Sequence, residues 1–417
     1  MSQFVHFSVR TRCGTISGWK ERFKMDRRIV MVMLVLMTVF IGFGIIIPVM
    51  PELVKSIDPG RAEYHNALML SLYSLVSFVL SPAWGALSDR IGRRPVILTG
   101  VFGFSASFLL FGLASGHLPL MYAARLLGGL FSGAVVSVIV AYVADITPPE
   151  QRTRGMGLVG MSIGLGFTFG PGIGGLLSGI SLETPFFAAS ALSALLFVTG
   201  LYTLRESLPP ERRGSGKKRP SRWTAFTGPL KYLYVLAFFV TFSLAGIEST
   251  LQWFGMERFD VTPAQFGLMF FVCGLVGAIV QGGVVRRLIK PGREPAWIAA
   301  GLLISAAGFF LLIASHELWT ATVFLAIFGV GNALVRPCVT SLITQRTKVE
   351  QGVASGLSSS MDSLGRIAGP LVAAFLYRIE MTLPLLASGA LSIAALLLLE
   401  RFRTLARRDD AGPQPVV

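Results

Sequence analysis

Long apolar runs dominate the chain and alternate with short polar segments. Each run is about 20 residues long, the length that a helix needs to cross the hydrocarbon core of a bilayer. The twelve runs are centred on residues 29–50, 66–86, 96–115, 119–142, 156–178, 185–203, 230–251, 265–285, 296–314, 319–342, 353–377 and 382–399. The pattern predicts an all-α membrane protein with twelve transmembrane helices in two bundles of six.

A basic segment rich in proline and glycine separates the sixth run from the seventh, a composition typical of a solvated linker. We therefore predict five regions: an N-terminal segment at 1–28, a first bundle at 29–203, a linker at 204–228, a second bundle at 229–400 and a tail at 401–417. A cleaved signal peptide is the alternative for the first run. The run is too long for one, and Pro48 and Pro51 stand where a small-residue cleavage motif belongs.

Basic residues are concentrated in alternate loops. Of the 37 lysines and arginines, 30 fall in segments that twelve spans place on one side, 4 fall on the other side and 3 lie within the runs. Because cytoplasmic loops carry an excess of Lys and Arg, this asymmetry predicts that both termini are cytoplasmic. We expect a monomeric, multi-pass protein of the cell inner membrane.

Composition narrows the function classes further. Hydrophobic residues make up 53% of the chain and charged residues 14%, which excludes a soluble enzyme. The net charge of +15 in so apolar a chain indicates the cytoplasmic face of a membrane and not nucleic acid. The three cysteines and four histidines do not form a metal-ligand pattern. We therefore expect no enzymatic activity, no metal and no cofactor.

The two halves share a repeated pattern. Glu150-Gln151 precedes Gly170-Pro171, and Glu350-Gln351 precedes Gly369-Pro370, at offsets of 200 and 199 residues. Chance similarity between glycine-rich helices is the alternative to a duplication. Internal symmetry between six-helix halves is a feature of transporters that rock around a cavity at the bilayer midplane.

The loop after the second run reads Gly85-Ala-Leu-Ser-Asp89-Arg90-Ile-Gly92-Arg93-Arg94. It resembles the most diagnostic signature of the major facilitator superfamily. The resemblance implies a conformational latch between the halves, formed by Gly85, Asp89, Arg90, Gly92, Arg93 and Arg94. An aspartate near a helix N-terminus and arginines near acidic residues suit that role. The alternative is a basic topology anchor.

The fifth run contains Gly166, Gly170, Pro171, Gly174 and Gly175, which resembles the antiporter motif of the superfamily's drug-efflux branch. Glycines 166, 170 and 174 recur at helical period and predict a groove for a neighbouring helix. Ordinary close packing is the alternative. The first run ends in a Gly-x5-Pro-Val-x-Pro pattern associated with twelve-span members. The chain thus resembles twelve-span drug/proton antiporters of the multidrug or tetracycline type.

Placing an ionisable residue inside a membrane span costs free energy, and such residues usually face the interior of the helix bundle. Glu248 in the seventh run can load a proton from one side and release it to the other, or it can attract a cationic substrate. Asp362 lies one helical turn from Arg366, so we expect the two to pair within their own helix. The resemblance implies a proton-coupling role for Arg125. Glu248, Arg125 and Asp362 are the proton-coupling candidates; an anchoring role near one rim is the alternative for Glu248.

The sequence therefore predicts a proton-coupled secondary transporter that exports amphipathic drugs or organic compounds by alternating access. Its expected partners are a small-molecule substrate, protons and the lipid bilayer. Candidates for the cavity wall are Phe43, Glu248, Gln252, Trp253 and Asn332. A dedicated exporter or flippase for one metabolite or glycolipid is the alternative on the same fold. We disfavour a non-transporting membrane sensor, for which we expect a soluble output domain.

Overall fold

The computed structural model describes residues 27–148, 151–214, 221–289, 292–347 and 349–410. Within these residues the chain forms twelve long helices and no strand, which confirms the predicted fold class. The helices are α1 (Arg27–Ile57), α2 (Ala62–Ile91), α3 (Arg93–Leu113), α4 (Leu118–Ile146), α5 (Arg152–Ser178), α6 (Thr184–Thr203), α7 (Leu230–Phe259), α8 (Pro263–Ile279), α9 (Glu294–Ile313), α10 (Leu318–Arg346), α11 (Gln351–Ile379) and α12 (Leu383–Asp410). Helix α8 continues through a π-helical segment at Val280–Val285.

Among the described residues, eleven helices are long and apolar enough to cross a membrane. The twelfth, α11, carries Asp362, Arg366 and five serines. It packs against α2 of the first half and α7 of the second, so much of its surface does not face lipid. Its exposed large hydrophobic side chains are Val372, Phe375 and Ile379, all in its second half. The polar composition of α11 therefore follows from its place in the interior.

The two halves repeat the same helix packing, which confirms the predicted internal symmetry. A Cβ atom added to Gly166 of α5 would lie 2.8 Å from the backbone oxygen of Met37 in α1. A Cβ atom added to Gly365 of α11 would lie 2.9 Å from the backbone oxygen of Phe238 in α7. Each half thus places its fifth helix directly on the backbone of its first, an approach that only glycine permits.

The halves contact each other on the side away from the start of α1 and the end of α12, which we call the closed side. There, Asn66 Nδ2 donates to the backbone oxygen of Ser249 at 3.1 Å, and Gln252 Nε2 donates to that of Pro48 at 2.6 Å. On the opposite side, which we call the open side, an added Cβ atom would meet no atom within 4 Å at any of four glycines on α2, on α5, after α8 and on α11: Gly85, Gly160, Gly283 and Gly352. The molecule is closed at one end and open at the end that carries the linker.

Helix α12 extends past residue 400, so the first part of the predicted tail at 401–417 is helical. It continues to Asp410 because Phe402 and Ala406, four residues apart, remain buried in a cluster with Ala225 of the linker region. The helix therefore keeps an apolar face beyond the membrane-spanning length.

Candidate functional site

A buried ion pair lies near the middle of the second half. Nη1 of Arg366 in α11 donates to Oε2 of Glu248 in α7 at 3.1 Å. The Glu248 side chain is 7% exposed and the Arg366 side chain 16%. The expected pairing of Arg366 with Asp362 within α11 is wrong, because Arg366 pairs across to the buried carboxylate of the neighbouring helix.

Arg366 also contacts the first half. Its guanidinium carbon lies 5.1 Å from the ring centre of Phe43 in α1 and 4.7 Å from that of Phe167 in α5. Both distances fall within the range of cation–π attraction. Arg366 therefore joins the halves, with its carboxylate partner on one and its aromatic partners on the other.

Asp362 lies one turn nearer the open side than Arg366. Its carboxylate accepts a hydrogen bond from Thr241 Oγ1 at 2.7 Å, and Oδ2 lies 3.4 Å from Nη2 of Arg336. The Asp362 side chain is 32% exposed and that of Arg336 41%. Both line a small cavity between α7, α10 and α11. Partners on α7 and α10 thus satisfy Asp362, which leaves Arg366 to Glu248.

Arg125 occupies a different environment in the first half. It is buried in α4, with its guanidinium carbon 4.3 Å from the ring centre of Tyr73 in α2. Its Nε and Nη2 atoms have no hydrogen-bond partner among the described residues. The Tyr73 ring in turn lies 5.6 Å from the Phe43 ring. A continuous series of contacts therefore runs from Arg125 through two rings to Arg366 and Glu248.

The remaining cavity candidates lie in different surroundings. Gln252 is fully buried and bridges α7 to Pro48 of α1, and Trp253 beside it is also buried. In this conformation Gln252 belongs to the closed interface between the halves, and neither residue lines an open cavity. Asn332 of α10 is half-buried, and its side-chain oxygen has no partner within the described part of the chain.

The arginines of the proposed latch make their visible contacts within the first half. Arg93 Nη2 lies 2.7 Å from Asp89 Oδ1, and Arg93 Nε donates to Asp145 Oδ2 at 3.1 Å. Arg90 is exposed at the same end of α2. A Cβ atom added to Gly85 would have no neighbour within 4 Å. The latch between halves stays a prediction, because this end of the molecule is open.

Glu206, which the sequence analysis did not single out, completes this cluster. Its carboxylate accepts from the backbone nitrogens of Arg93 at 2.8 Å and Arg94 at 3.1 Å, at the start of α3. A carboxylate at a helix N-terminus accepts hydrogen bonds from backbone N–H groups that have no partner within the helix, and it interacts favourably with the helix dipole. Gly92, at φ 108°, brings the chain close to that carboxylate. The sequence signal that could have identified Glu206 is the presence of an acidic residue at the start of a basic linker.

The glycines of α5 at 166, 170 and 174 face α1. A Cβ atom on Gly170 would lie 2.8 Å from the backbone oxygen of Ile41, and one on Gly174 would lie 2.7 Å from that of Ile45. The structure thus places α1 in the groove that these three glycines form.

The other face of α5 contacts the second half. A Cβ atom added to Gly175 would lie 2.7 Å from the backbone oxygen of Pro263 and 3.0 Å from Cα of Gly267, both in α8. A Cβ atom on Gly267 would in turn meet the backbone oxygen of Pro171. The motif therefore serves two interfaces: one within the first half and one between the halves.

Two six-helix halves that meet at one end, separate at the other and hold charged groups at their centre define a membrane transporter of the alternating-access class. The chain belongs to the Major Facilitator Superfamily: the model of that family matches residues 32–348 and 290–416. It is a multi-pass membrane protein.

Several relatives cover most of the chain. It is 32% identical to Multidrug resistance protein 1 of Bacillus subtilis over 83% of this chain and 88% of that protein. It is 27% identical to Quinolone resistance protein NorA of Staphylococcus aureus over 90% of this chain and 96% of that protein. Among solved structures it is similar to the human organic anion transporter MFSD10, with a TM-score of 0.68 and 28% identity over 89% of this chain and 99% of that one.

Proposed function

We propose that the protein is a secondary transporter that exports amphipathic organic compounds, drugs among them, in exchange for protons. The relatives named for drug and quinolone resistance support the substrate class. The observation that carries the coupling proposal is the buried pair of Glu248 and Arg366.

The pair supports proton coupling because a buried carboxylate can exist either as an ion paired with arginine or as a neutral acid. Protonation removes the negative charge that holds the Arg366 guanidinium on the second half. Asp362, one turn nearer the open side and partly exposed, can receive the proton that Glu248 releases. Arg125 completes the proposed proton-coupling set, because contacts through the rings of Tyr73 and Phe43 connect it to Arg366.

Alternating access would proceed by opening the closed side and closing the open side. The proposed latch of Gly85, Asp89, Arg90, Gly92, Arg93 and Arg94 lies at the open end, where the second half would approach it. The cavity that we propose is lined by Phe43, Glu248 and Asn332, with Gln252 and Trp253 joining it when the closed side opens. We further propose that the transporter is a monomer of the cell inner membrane, with its open side towards the cytoplasm.

The test is transport by purified protein in liposomes with an imposed pH gradient. We expect Glu248→Gln to reduce gradient-driven movement of a fluorescent organic cation to the background of empty liposomes. The reason is that a glutamine side chain neither gains nor loses a proton over the pH range of the gradient. Glu400→Gln is the matched control, since Glu400 is an exposed glutamate that pairs with Arg403 at 3.2 Å on α12. Full gradient-driven transport by Glu248→Gln would refute the coupling proposal.

A second measurement separates a drug exporter from a dedicated metabolite or glycolipid exporter. Cells that express the protein are compared with cells that lack it for accumulation of a panel of dyes and antibiotics. We expect lower accumulation of several unrelated amphipathic compounds. Unchanged accumulation across the panel, with one endogenous compound exported, would support the dedicated exporter instead.

A further inference from the structure

The environment of Arg366 has the composition of a binding site for an organic cation. Two aromatic faces, Phe43 and Phe167, lie 5.1 Å and 4.7 Å from the guanidinium carbon. The Glu248 carboxylate supplies the counter-charge at 3.1 Å. Aromatic rings combined with a carboxylate are a common arrangement for holding delocalised or alkylated cations away from water. Here the cation is a side chain of the protein itself.

We propose that Arg366 is a tethered occupant of the substrate's cation site, and that an organic cation is bound when it displaces the guanidinium from Phe43, Phe167 and Glu248. This inference rests on the proposed function and names the chemical class that the site selects: large aromatic or lipophilic monocations. Arg366 is thus a specificity-determining residue.

The displaced guanidinium has a partner within reach. Asp362 lies four residues before Arg366 on α11, a spacing at which helical side chains meet. Its present partner, Arg336, is 41% exposed and can turn towards water. When Arg366 moves from Glu248 to Asp362, the bound organic cation pairs with Glu248. No buried charge is then left unpaired, and an unpaired buried charge would be strongly destabilising.

The tether also implies that the size of a cation decides whether it can bind. A side chain fixed to the site competes at a high effective concentration, as any intramolecular ligand does. A small cation such as free guanidinium offers no more contact than Arg366 already makes. A cation with several aromatic or alkyl groups gains additional apolar contact and can compete. An uncharged molecule leaves Glu248 without a counter-charge.

The test is equilibrium binding of tetraphenylphosphonium to the purified full-length protein in lipid nanodiscs. Binding is measured at a series of pH values that extends to alkaline pH, without a proton gradient. Removing the tether should strengthen binding, so we expect Arg366→Gln to lower the dissociation constant by about tenfold. Arg366→Lys keeps a tethered cation and should bind as weakly as the unmodified protein. Arg403→Gln, which removes a partly exposed arginine from α12 and changes the net charge equally, should leave the dissociation constant unchanged.

A second variant protects the test against misfolding. Arg366→Met keeps a long side chain that packs against the rings without a charge, and it should show the same gain as Arg366→Gln. Adding Phe167→Leu to either variant should reverse part of that gain, because one aromatic face is lost. Monodisperse elution of each variant is checked before binding is measured.

Tetraphenylborate, which has the same shape and the opposite charge, decides between a cation site and an anion site. The proposal expects no binding of the borate at this site in any of the variants. It is overturned if Arg366→Gln and Arg366→Met bind tetraphenylphosphonium no better than the unmodified protein does. It is equally overturned if the borate binds the unmodified protein and is lost in these variants. Because no proton gradient is used, either result is independent of whether transport is proton-coupled.

Discussion

At the scale of single residues, Glu248 and Asp362 each pair with an arginine from another helix. The sequence located both acids and Arg366 inside spans, because charged residues stand out in apolar runs. It could not select their partners, since the choice between a neighbour on the same helix and one on the next helix depends on helix rotation. The same limit hid Phe167 and Tyr73, whose aromatic character is unremarkable in a membrane helix.

Gly92 provides a test of the cluster at the start of α3. Its φ of 108° is a conformation that L side chains rarely adopt, and an added Cβ would meet the Glu206 carboxylate. We expect Gly92→Ala to lower the free energy of unfolding by about 1–3 kcal/mol, seen as a lower apparent melting temperature of the purified protein. Gly85→Ala is the control, because the same added atom finds open space there. Equal melting temperatures for the two variants would contradict this assignment.

At the scale of helices, α5 shows what periodicity can and cannot predict. Glycines at 166, 170 and 174 share one face of any α-helix, so a groove on that face followed from spacing alone. The identity of the helix in the groove, α1, did not follow. Nor did the spacing indicate that Gly175, one residue further round the helix, contacts α8 of the other half. Which faces touch which partners is a property of the packed bundle.

Substitution within α5 should separate packed glycines from unpacked ones. At Gly174 an added Cβ would lie 2.7 Å from the backbone oxygen and 2.8 Å from Cα of Ile45, atoms that cannot turn away as a side chain can. We expect Gly174→Ala to cost about 1–3 kcal/mol of stability through overpacking, measured as heat-induced loss of monodisperse protein. Gly164→Ala lies on the same helix with no neighbour within 4 Å, and it should be neutral or slightly stabilising because alanine favours helix. Tolerance of Gly174→Ala would show that α1 and α5 are not in close contact there.

At the scale of the whole molecule, sequence determined the number of spans and their symmetry but not which end is open. The thickness of the bilayer and the retention of basic loops on one side constrain the sequence in every conformation. Both can therefore be inferred from the sequence alone. An alternating-access transporter has two arrangements of nearly equal free energy, and one sequence encodes both. The open end near Gly160 and the closed end at Asn66 and Ser249 are therefore visible only in three dimensions.

The orientation in the membrane follows from charge and can be measured directly. We expect the open side, with the linker and both termini, to face the cytoplasm, because basic segments are retained there. After Cys13, Cys273 and Cys338 are replaced by serine, single cysteines are introduced at Ser181, an exposed position in the turn between α5 and α6, and at Ser221, an exposed position in the linker region. A membrane-impermeant maleimide should label Ser181→Cys in intact cells, and it should label Ser221→Cys only after the membrane is permeabilised. The reverse pattern would place the basic segments outside the cell, and it would require the proposed direction of proton movement and export to be inverted.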